Sequence, residues 1–199
     1  ALCGNQGTAT TTLNQCTVHQ NSMPSDGAVV SLADAAGSSS QIRLNRCTLA
    51  QNTTTASGGA MAALGFSGAA SSITLDGCII AGNSTAGGVP EVTASGSGTV
   101  TSLGNNLIGK ADGSGVTWQD TDLTGTAAAP LDPMLASLGD YGGPTQTMPP
   151  LPGSPARDPA SGATTAFNLV DQRGQPRLAG AKVDIGAVEA GAADAPGTL

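Results

Sequence analysis

Three cysteines and three asparagines recur at one fixed step in the first half of the chain. The runs LNQCTVHQN, LNRCTLAQN and LDGCIIAGN begin at residues 13, 44 and 75, so each pair of equivalent positions is 31 residues apart. Thiolates can ligate metals or act as nucleophiles, and paired thiols can form disulfides. The spacing therefore has to be tested first as a chemical site. The recurring residues are Cys16, Cys47 and Cys78, with Asn21, Asn52 and Asn83.

The pattern argues against both a metal centre and disulfides. Zinc sites use closely spaced CxxC pairs or add nearby histidines, and this chain has no CxxC pair and only one histidine, His19. Cysteines stacked in register aim their Cβ atoms the same way, which suits disulfide geometry poorly. We therefore expect free, buried thiols at the three recurring positions, whereas Cys3 falls outside the repeat.

Carboxylates and the histidine are the remaining candidates for acid–base chemistry. Glycoside hydrolysis needs carboxylates that converge on one sugar, and a polysaccharide lyase needs an acidic calcium cluster with a basic proton acceptor. None of the acidic residues in the repeats recurs at the 31-residue step, and His19 aligns with alanines. We therefore predict no catalytic residue. The acidic residues concerned are Asp26, Asp34, Asp76 and Glu91.

One later acidic stretch, DGSGVTWQDTD at 112–122, could hold a cation. Asp112, Asp120 and Asp122 would supply the oxygen ligands that calcium takes. Their spacing matches neither an EF-hand nor the nonapeptide of calcium-binding β-rolls. We predict no metal or cofactor, and calcium at these aspartates is the alternative.

The elements that must position these residues are short strands. Each period joins a Leu-x-x-Cys run to a second recurring stretch, which reads DGAVVSLA, SGGAMAAL and GGVPEVTA. Short β-like runs between turn residues, repeated at this length, are typical of stacked units. Equivalent residues then lie about 4.8 Å apart in neighbouring units. We predict an all-β parallel β-helix, a solenoid of about four rungs of roughly 31 residues, over residues 1–125.

Stacking turns each recurring residue into a ladder. The leucines Leu13, Leu44 and Leu75 are expected to point inward, beside cysteines that act as small apolar groups. A turn asparagine tolerates left-handed backbone, and its amide can bond the rungs on both sides. We therefore expect the repeat to fix the register of the stack.

Composition excludes several function classes. The net charge is −7, with 7 basic and 14 acidic residues, and only Arg43 and Arg46 are basic before Lys110. Nucleic-acid binding needs clustered basic residues, as does an anionic membrane surface. No apolar run approaches the roughly 20 residues of a spanning helix. We predict no nucleic-acid partner and no membrane insertion.

The second half of the chain resembles a known family. Its motifs LGDYGGPTQT, LPGSPARD, DQRGQPR and DIGAVE resemble, in this order, the carboxy-terminal signature of choice-of-anchor Q domain proteins of bacterial surfaces. The resemblance covers nearly the whole chain. It implies a right-handed parallel β-helix of the pectate-lyase-like type and an extracellular or cell-surface location. It implies little about activity, since fold does not determine function.

The proline- and glycine-rich second half also suggests a cap. A β-helix leaves an open strand edge and an open apolar core at its last rung, and both need covering. We predict that residues 126–189 fold over that end and that residues 190–199 form a flexible tail. Structural ion pairs are expected to lock the cap, among Asp171, Arg173, Arg177 and Asp184.

These patterns predict a non-catalytic, secreted or cell-surface protein with a structural or adhesive role. The alternative is a polysaccharide lyase or hydrolase, or a glycan-binding module. The chain begins in the middle of a period, so we expect a piece of a longer precursor whose open end pairs with another chain. Such head-to-tail contacts would build homo-oligomers or filaments, and a surface glycan is the other expected partner.

Overall fold

The computed structural model describes residues 7–24, 27–55, 59–85, 90–159, 161–162 and 169–191, which hold fifteen β-strands and no helix. Cys3 and Asp26, and most of the predicted tail, lie outside these residues. In chain order the strands are β1 (Thr8–Asn14), β2 (Thr17–His19), β3 (Ser22–Met23), β4 (Val29–Ala33), β5 (Ser39–Asn45), β6 (Thr48–Ala50), β7 (Thr53–Thr54), β8 (Met61–Gly65), β9 (Ala70–Asp76), β10 (Ile79–Ile80), β11 (Ser84–Thr85), β12 (Val92–Gly96), β13 (Gly98–Ser102), β14 (Leu107–Ile108) and β15 (Leu123–Thr124).

The strands form four parallel sheets, which the chain visits in the same order in each of the first three periods. Sheet A contains β1, β5, β9 and β13; sheet B contains β2, β6, β10, β14 and β15; sheet C contains β3, β7 and β11; sheet D contains β4, β8 and β12. Leu44 pairs with Leu13 on one side and Leu75 on the other, so the 31-residue step is the strand register itself. The prediction of an all-β chain of parallel strands is confirmed.

Alternation along β4, β5 and β9 places apolar side chains in the interior. In β9, the side chains of Ser71, Ile73 and Leu75 are buried while their neighbours are more exposed. Full burial of an aliphatic side chain is worth about 1.5–3 kcal/mol, and the repeat supplies such a side chain at each level. The buried interior cluster includes Ile42, Leu44, Cys47, Leu49, Met61, Ile73, Leu75, Cys78, Ile80, Val92 and Ile108.

The carboxy-terminal segment lies along the outer face of sheet B. Gly186 N–H donates to the Gly77 carbonyl at 2.8 Å and Ala187 N–H to Thr48 Oγ1 at 3.0 Å. Thr17 Oγ1 donates to Gln172 Oε1 at 2.7 Å. These contacts follow the side of the stack from β2 onwards, whereas we expected the segment to fold over its end.

A second apolar cluster fills this contact. Ile79, Ala81 and Leu107 face outward from sheet B and pack against Ala156 and Ile185. Gly186 has a φ of 97°, and a Cβ there would lie 2.6 Å from Ile79 Cδ1, so only glycine permits this approach. Sheet B is therefore buried on both faces, which explains why β10 and β14 read as continuous apolar pairs.

The described residues contain no helix that is long and apolar enough to cross a membrane.

Candidate functional site

The recurring cysteines are free thiols stacked inside the sheets. Cys47 and Cys78 are fully buried and Cys16 is half-buried. The thiols of Cys47 and Cys78 each donate to a leucine carbonyl of the preceding period, at 3.4 Å. The adjacent Cys47 thiol, together with burial, raises the pKa of Cys16 above its usual range. A protonated thiol is neither a good nucleophile nor a metal ligand, so the Cys16 thiol is suited to neither role.

The cysteine ladder continues into oxygen acceptors in the later periods. Cys78 N–H donates to Asn106 Oδ1 at 2.8 Å, and Asn106 N–H in turn donates to Asp122 Oδ1 at 2.8 Å. Asp122 Oδ2 also accepts from Ser102 Oγ at 2.6 Å and from Gln119 N–H at 2.7 Å. The Asp122 carboxylate therefore terminates a ladder.

The three aspartates of the acidic stretch make separate contacts. Besides Asp122, Asp112 accepts from Ala127 N–H at 2.7 Å, and Asp120 is exposed. No three metal-ligating side chains gather among the residues that the structure describes. His19 sits beside Gln51, with Nε2 and Oε1 2.9 Å apart, on the outside of sheet B.

The asparagines form a second ladder with a single direction. Asn21 Nδ2 donates to Asn52 Oδ1 and Asn52 Nδ2 donates to Asn83 Oδ1, both at 2.9 Å. Their backbone N–H groups donate to the same oxygens, at 3.0 and 2.9 Å. The left-handed residue expected at each asparagine stands instead one position earlier, at Gln20, Gln51 and Gly82.

Glu91 terminates the asparagine ladder, and sequence reasoning missed it. Asn83 Nδ2 donates to Glu91 Oε2 at 2.7 Å, and Glu91 is 1% exposed. Since the donors all point one way, the last amide needs a group that only accepts, which a carboxylate does. Burial raises the pKa of Glu91 to about 7. This carboxyl can therefore exchange a proton near neutral pH.

Lys110 completes a cluster beside an open cavity. Its Nζ donates to the backbone carbonyl of Asn83 at 3.3 Å, and its charge opposes the rise in the pKa of Glu91. A cavity of about 390 Å³ adjoins the three side chains, within the size range of small-ligand pockets. We call Asn83, Glu91 and Lys110 the amide–carboxyl–amine cluster. The other lining residues are Gly82, Ser84, Pro130, Leu131, Asp132 and Pro133.

The four charged residues predicted to lock the cap are all buried, but they form one ion pair among the described residues; they are Asp171, Arg173, Arg177 and Asp184. Arg173 Nε binds Asp171 Oδ2 at 3.0 Å. Arg177 donates instead to the carbonyls of Asp184 and Gly186, and the Asp184 carboxylate accepts from two backbone N–H groups. Burial lowers the pKa of Arg177 to about 10. The network ties turns together and offers no catalytic arrangement.

Comparison with family models, with curated proteins and with solved structures finds no match for this chain.

Proposed function

We propose that this chain is a right-handed parallel β-helix from an extracellular or cell-surface protein, where it has a structural or adhesive role. The observation that carries the proposal is the use of its recurring polar groups. The cysteine and asparagine side chains bond neighbouring periods, and the two ladders end on the carboxylates of Asp122 and Glu91. Groups used in this way hold the stack in register.

The sheet order supports a solenoid. The chain passes through sheets A, B, C and D in the same order in each of the first three periods, and each strand pairs with its equivalent in the next. One apolar cluster combines residues of sheets A, B and D. Short parallel sheets that repeat in a fixed order beside a shared interior are features of a β-helix.

Assays on polysaccharides test the non-catalytic role. The chain is incubated with neutral and acidic polysaccharides with and without calcium, and new reducing ends and unsaturated uronates are measured. We expect no turnover. Turnover that disappears in Glu91→Gln, while the matched surface variant Asp140→Asn retains it, would contradict the proposal and support a lyase or hydrolase.

Glycan binding is the second candidate, and the cavity beside Glu91 favours it. Asp132, Lys110 and Ser84 supply polar groups to this cavity, and its apolar lining comes from Pro130, Leu131 and Pro133. Sugars are recognised by this combination of apolar contact and a few directed polar groups. A glycan array with Asp132→Asn as the variant checks it, since binding at this cavity should weaken without any loss of fold.

Self-association remains a proposal that rests on the sheet edges. Among the described strands, β1 and β13 each pair on one side only, and an unpaired parallel edge can accept another strand. Sedimentation over a range of protein concentrations tests it. A monomer at every concentration would exclude association through these edges.

A further inference from the structure

We propose that the cavity beside the amide–carboxyl–amine cluster binds a small carboxylate with a short apolar chain, and that Lys110 receives the carboxylate group. The cluster forms one side of this cavity, and the other side is an apolar wall made by Pro130, Leu131 and Pro133. Such a ligand is distinct from a glycan, and the site does not depend on the proposed structural or adhesive role.

The apolar wall is held in place at both of its ends. Leu131 N–H donates to the Gly109 carbonyl at 2.9 Å, and the Pro133 carbonyl accepts from the hydroxyl of buried Ser154 at 2.6 Å. Proline also fixes its own backbone angle φ. The wall is therefore formed before a ligand binds, and an apolar chain can pack against it without the cost of ordering a loop. The volume of about 390 Å³ lies at the lower end of the range for ligand pockets, which suits a small ligand.

Lys110 brings a positive charge to the cavity. Its amine donates to the Asn83 carbonyl at 3.3 Å, and this contact holds the end of a long side chain in the cavity lining. An ammonium group has three N–H donors, so a ligand carboxylate can accept from the same amine that contacts Asn83. Hydrogen bonds between charged groups are about twice as strong as those between neutral groups.

The state of Glu91 favours an anion at this site. Glu91 accepts from Asn83 Nδ2 at 2.7 Å and is 1% exposed, and burial raises its pKa to about 7. At lower pH it is mostly a neutral acid, so the cluster then carries the net positive charge of Lys110. Asp132 also lines the cavity, but it accepts from Met134 N–H at 2.8 Å and is exposed, where water and salt screen its charge.

Ionisation of Glu91 should weaken the binding of a carboxylate. Glu91, Lys110 and Asp132 are the charged side chains of the cavity lining, so a bound carboxylate would share the cavity with the ionised Glu91. A neighbouring like charge raises the pKa of a carboxyl by about one unit or more. The ligand should therefore bind most tightly below pH about 7 and more weakly as the pH rises through this value.

Hexanoate, hexanamide and hexylamine test the proposal, because they share one chain length and differ in the charge of the head group. The full chain is titrated with each compound at about pH 6, and NMR gives the three Kd values. We expect hexanoate to bind about tenfold more tightly than hexanamide, and hexylamine to bind more weakly than either. Equal affinities for hexanoate and hexanamide, or tightest binding of hexylamine, would overturn the proposal.

The only two lysines of the chain supply a matched pair of variants. Lys110→Met should lower the affinity for hexanoate to that for hexanamide, whereas Lys182→Met should bind as the wild type does. Unchanged affinity in Lys110→Met would contradict the role of this amine. Circular dichroism verifies the fold of each variant, and the three compounds on the wild type decide the question if Lys110→Met does not fold.

The pH dependence provides a second readout. The wild type should bind hexanoate about tenfold more weakly at about pH 8 than at about pH 6, and Glu91→Gln should remove this difference. A wild-type affinity that does not change with pH would exclude the part assigned to Glu91. If a neutral sugar binds at the cavity and hexanoate does not, the carboxylate site is wrong and the glycan candidate is supported instead.

Discussion

The stacked periods and the carboxy-terminal segment stabilise the same molecule by opposite means. The periods repeat their contacts, and each polar group bonds an equivalent group one step away. The segment after residue 130 has only isolated bridges among its described residues and buries single charged side chains. In the repeat a contact is one of several similar ones, whereas in the segment each contact is unique.

Removal of one buried charged side chain from the carboxy-terminal segment should lower the free energy of unfolding the most. Arg173→Ala leaves the Asp171 carboxylate buried with its ion-pair partner removed, and it also removes a 2.7 Å bond to the Glu189 carbonyl. We expect a loss of about 3–5 kcal/mol in the free energy of unfolding, measured by urea denaturation. Arg43→Ala, at an exposed position of sheet A, is the control and should cost less than about 0.5 kcal/mol.

The same variant shows whether the two regions unfold together. The segment covers Thr48 and Ile79 on sheet B, so its detachment would expose the outer apolar face. A single shifted transition would mean that the stack depends on its cover. Two transitions would show that the repeated contacts keep the stack folded without the carboxy-terminal segment.

The second-largest effect on the free energy of unfolding should come from the titration of Glu91 with pH. Because its folded pKa, about 7, exceeds its ordinary value of 4.5, the folded state holds a proton that the unfolded chain releases. Stability is therefore highest below pH about 4.5 and falls as pH rises to about 7, by at most about 3 kcal/mol. Burial raises the pKa of Asp184 and of Glu189 in the same direction.

Thermal unfolding of the wild type and of the Glu91→Gln variant between pH 4 and 8 checks this dependence. Glu91→Gln should flatten the curve and leave only the slope due to the carboxy-terminal carboxyls. An unchanged slope would show that Glu91 is ionised throughout this range.

The repeat could be predicted because equivalent positions carry the same type of residue in several periods. Leu13, Leu44 and Leu75 agree with one another, so the pattern gives the register and the inward face without any coordinates. The free thiols follow from the same register, since stacked cysteines keep their Cβ atoms parallel.

Glu91 could not be predicted in this way, because it occurs once and matches no recurring position. The step of 28 residues in the last full period puts Ala111 where the next asparagine would stand. The ladder then has a donor without its next acceptor, and Glu91 reaches it from the turn before β12. The sequence signal for the end of the ladder was an alanine, Ala111, at the next asparagine position, together with a carboxylate, Glu91, that does not recur.

The outer cover of sheet B also had a signal in the sequence. Ile79 and Ile80, like Leu107 and Ile108, are apolar at successive positions, and successive residues of a strand face opposite sides. One of each pair must therefore face outward and needs a partner. The partner itself, around Ile185, lies in an aperiodic segment, and no repeat reveals where such a segment packs.

Removal of one asparagine side chain from the ladder should lower the free energy of unfolding the least. Asn52→Ala removes the amide that bonds both Asn21 and Asn83. It also takes the amide donor away from the Val18 and Ala50 carbonyls, and loss of such buried bonds costs about 1–3 kcal/mol. Asn45→Ala is the matched control, because Asn45 makes a similar bond to Asn14 at 2.7 Å on the outer face of sheet A, where water can replace it. We expect that control to cost less than about 0.5 kcal/mol, with both variants measured by urea denaturation. Equal losses would mean that burial adds nothing to the ladder, and the repeated contacts would then differ from surface bonds only in their number.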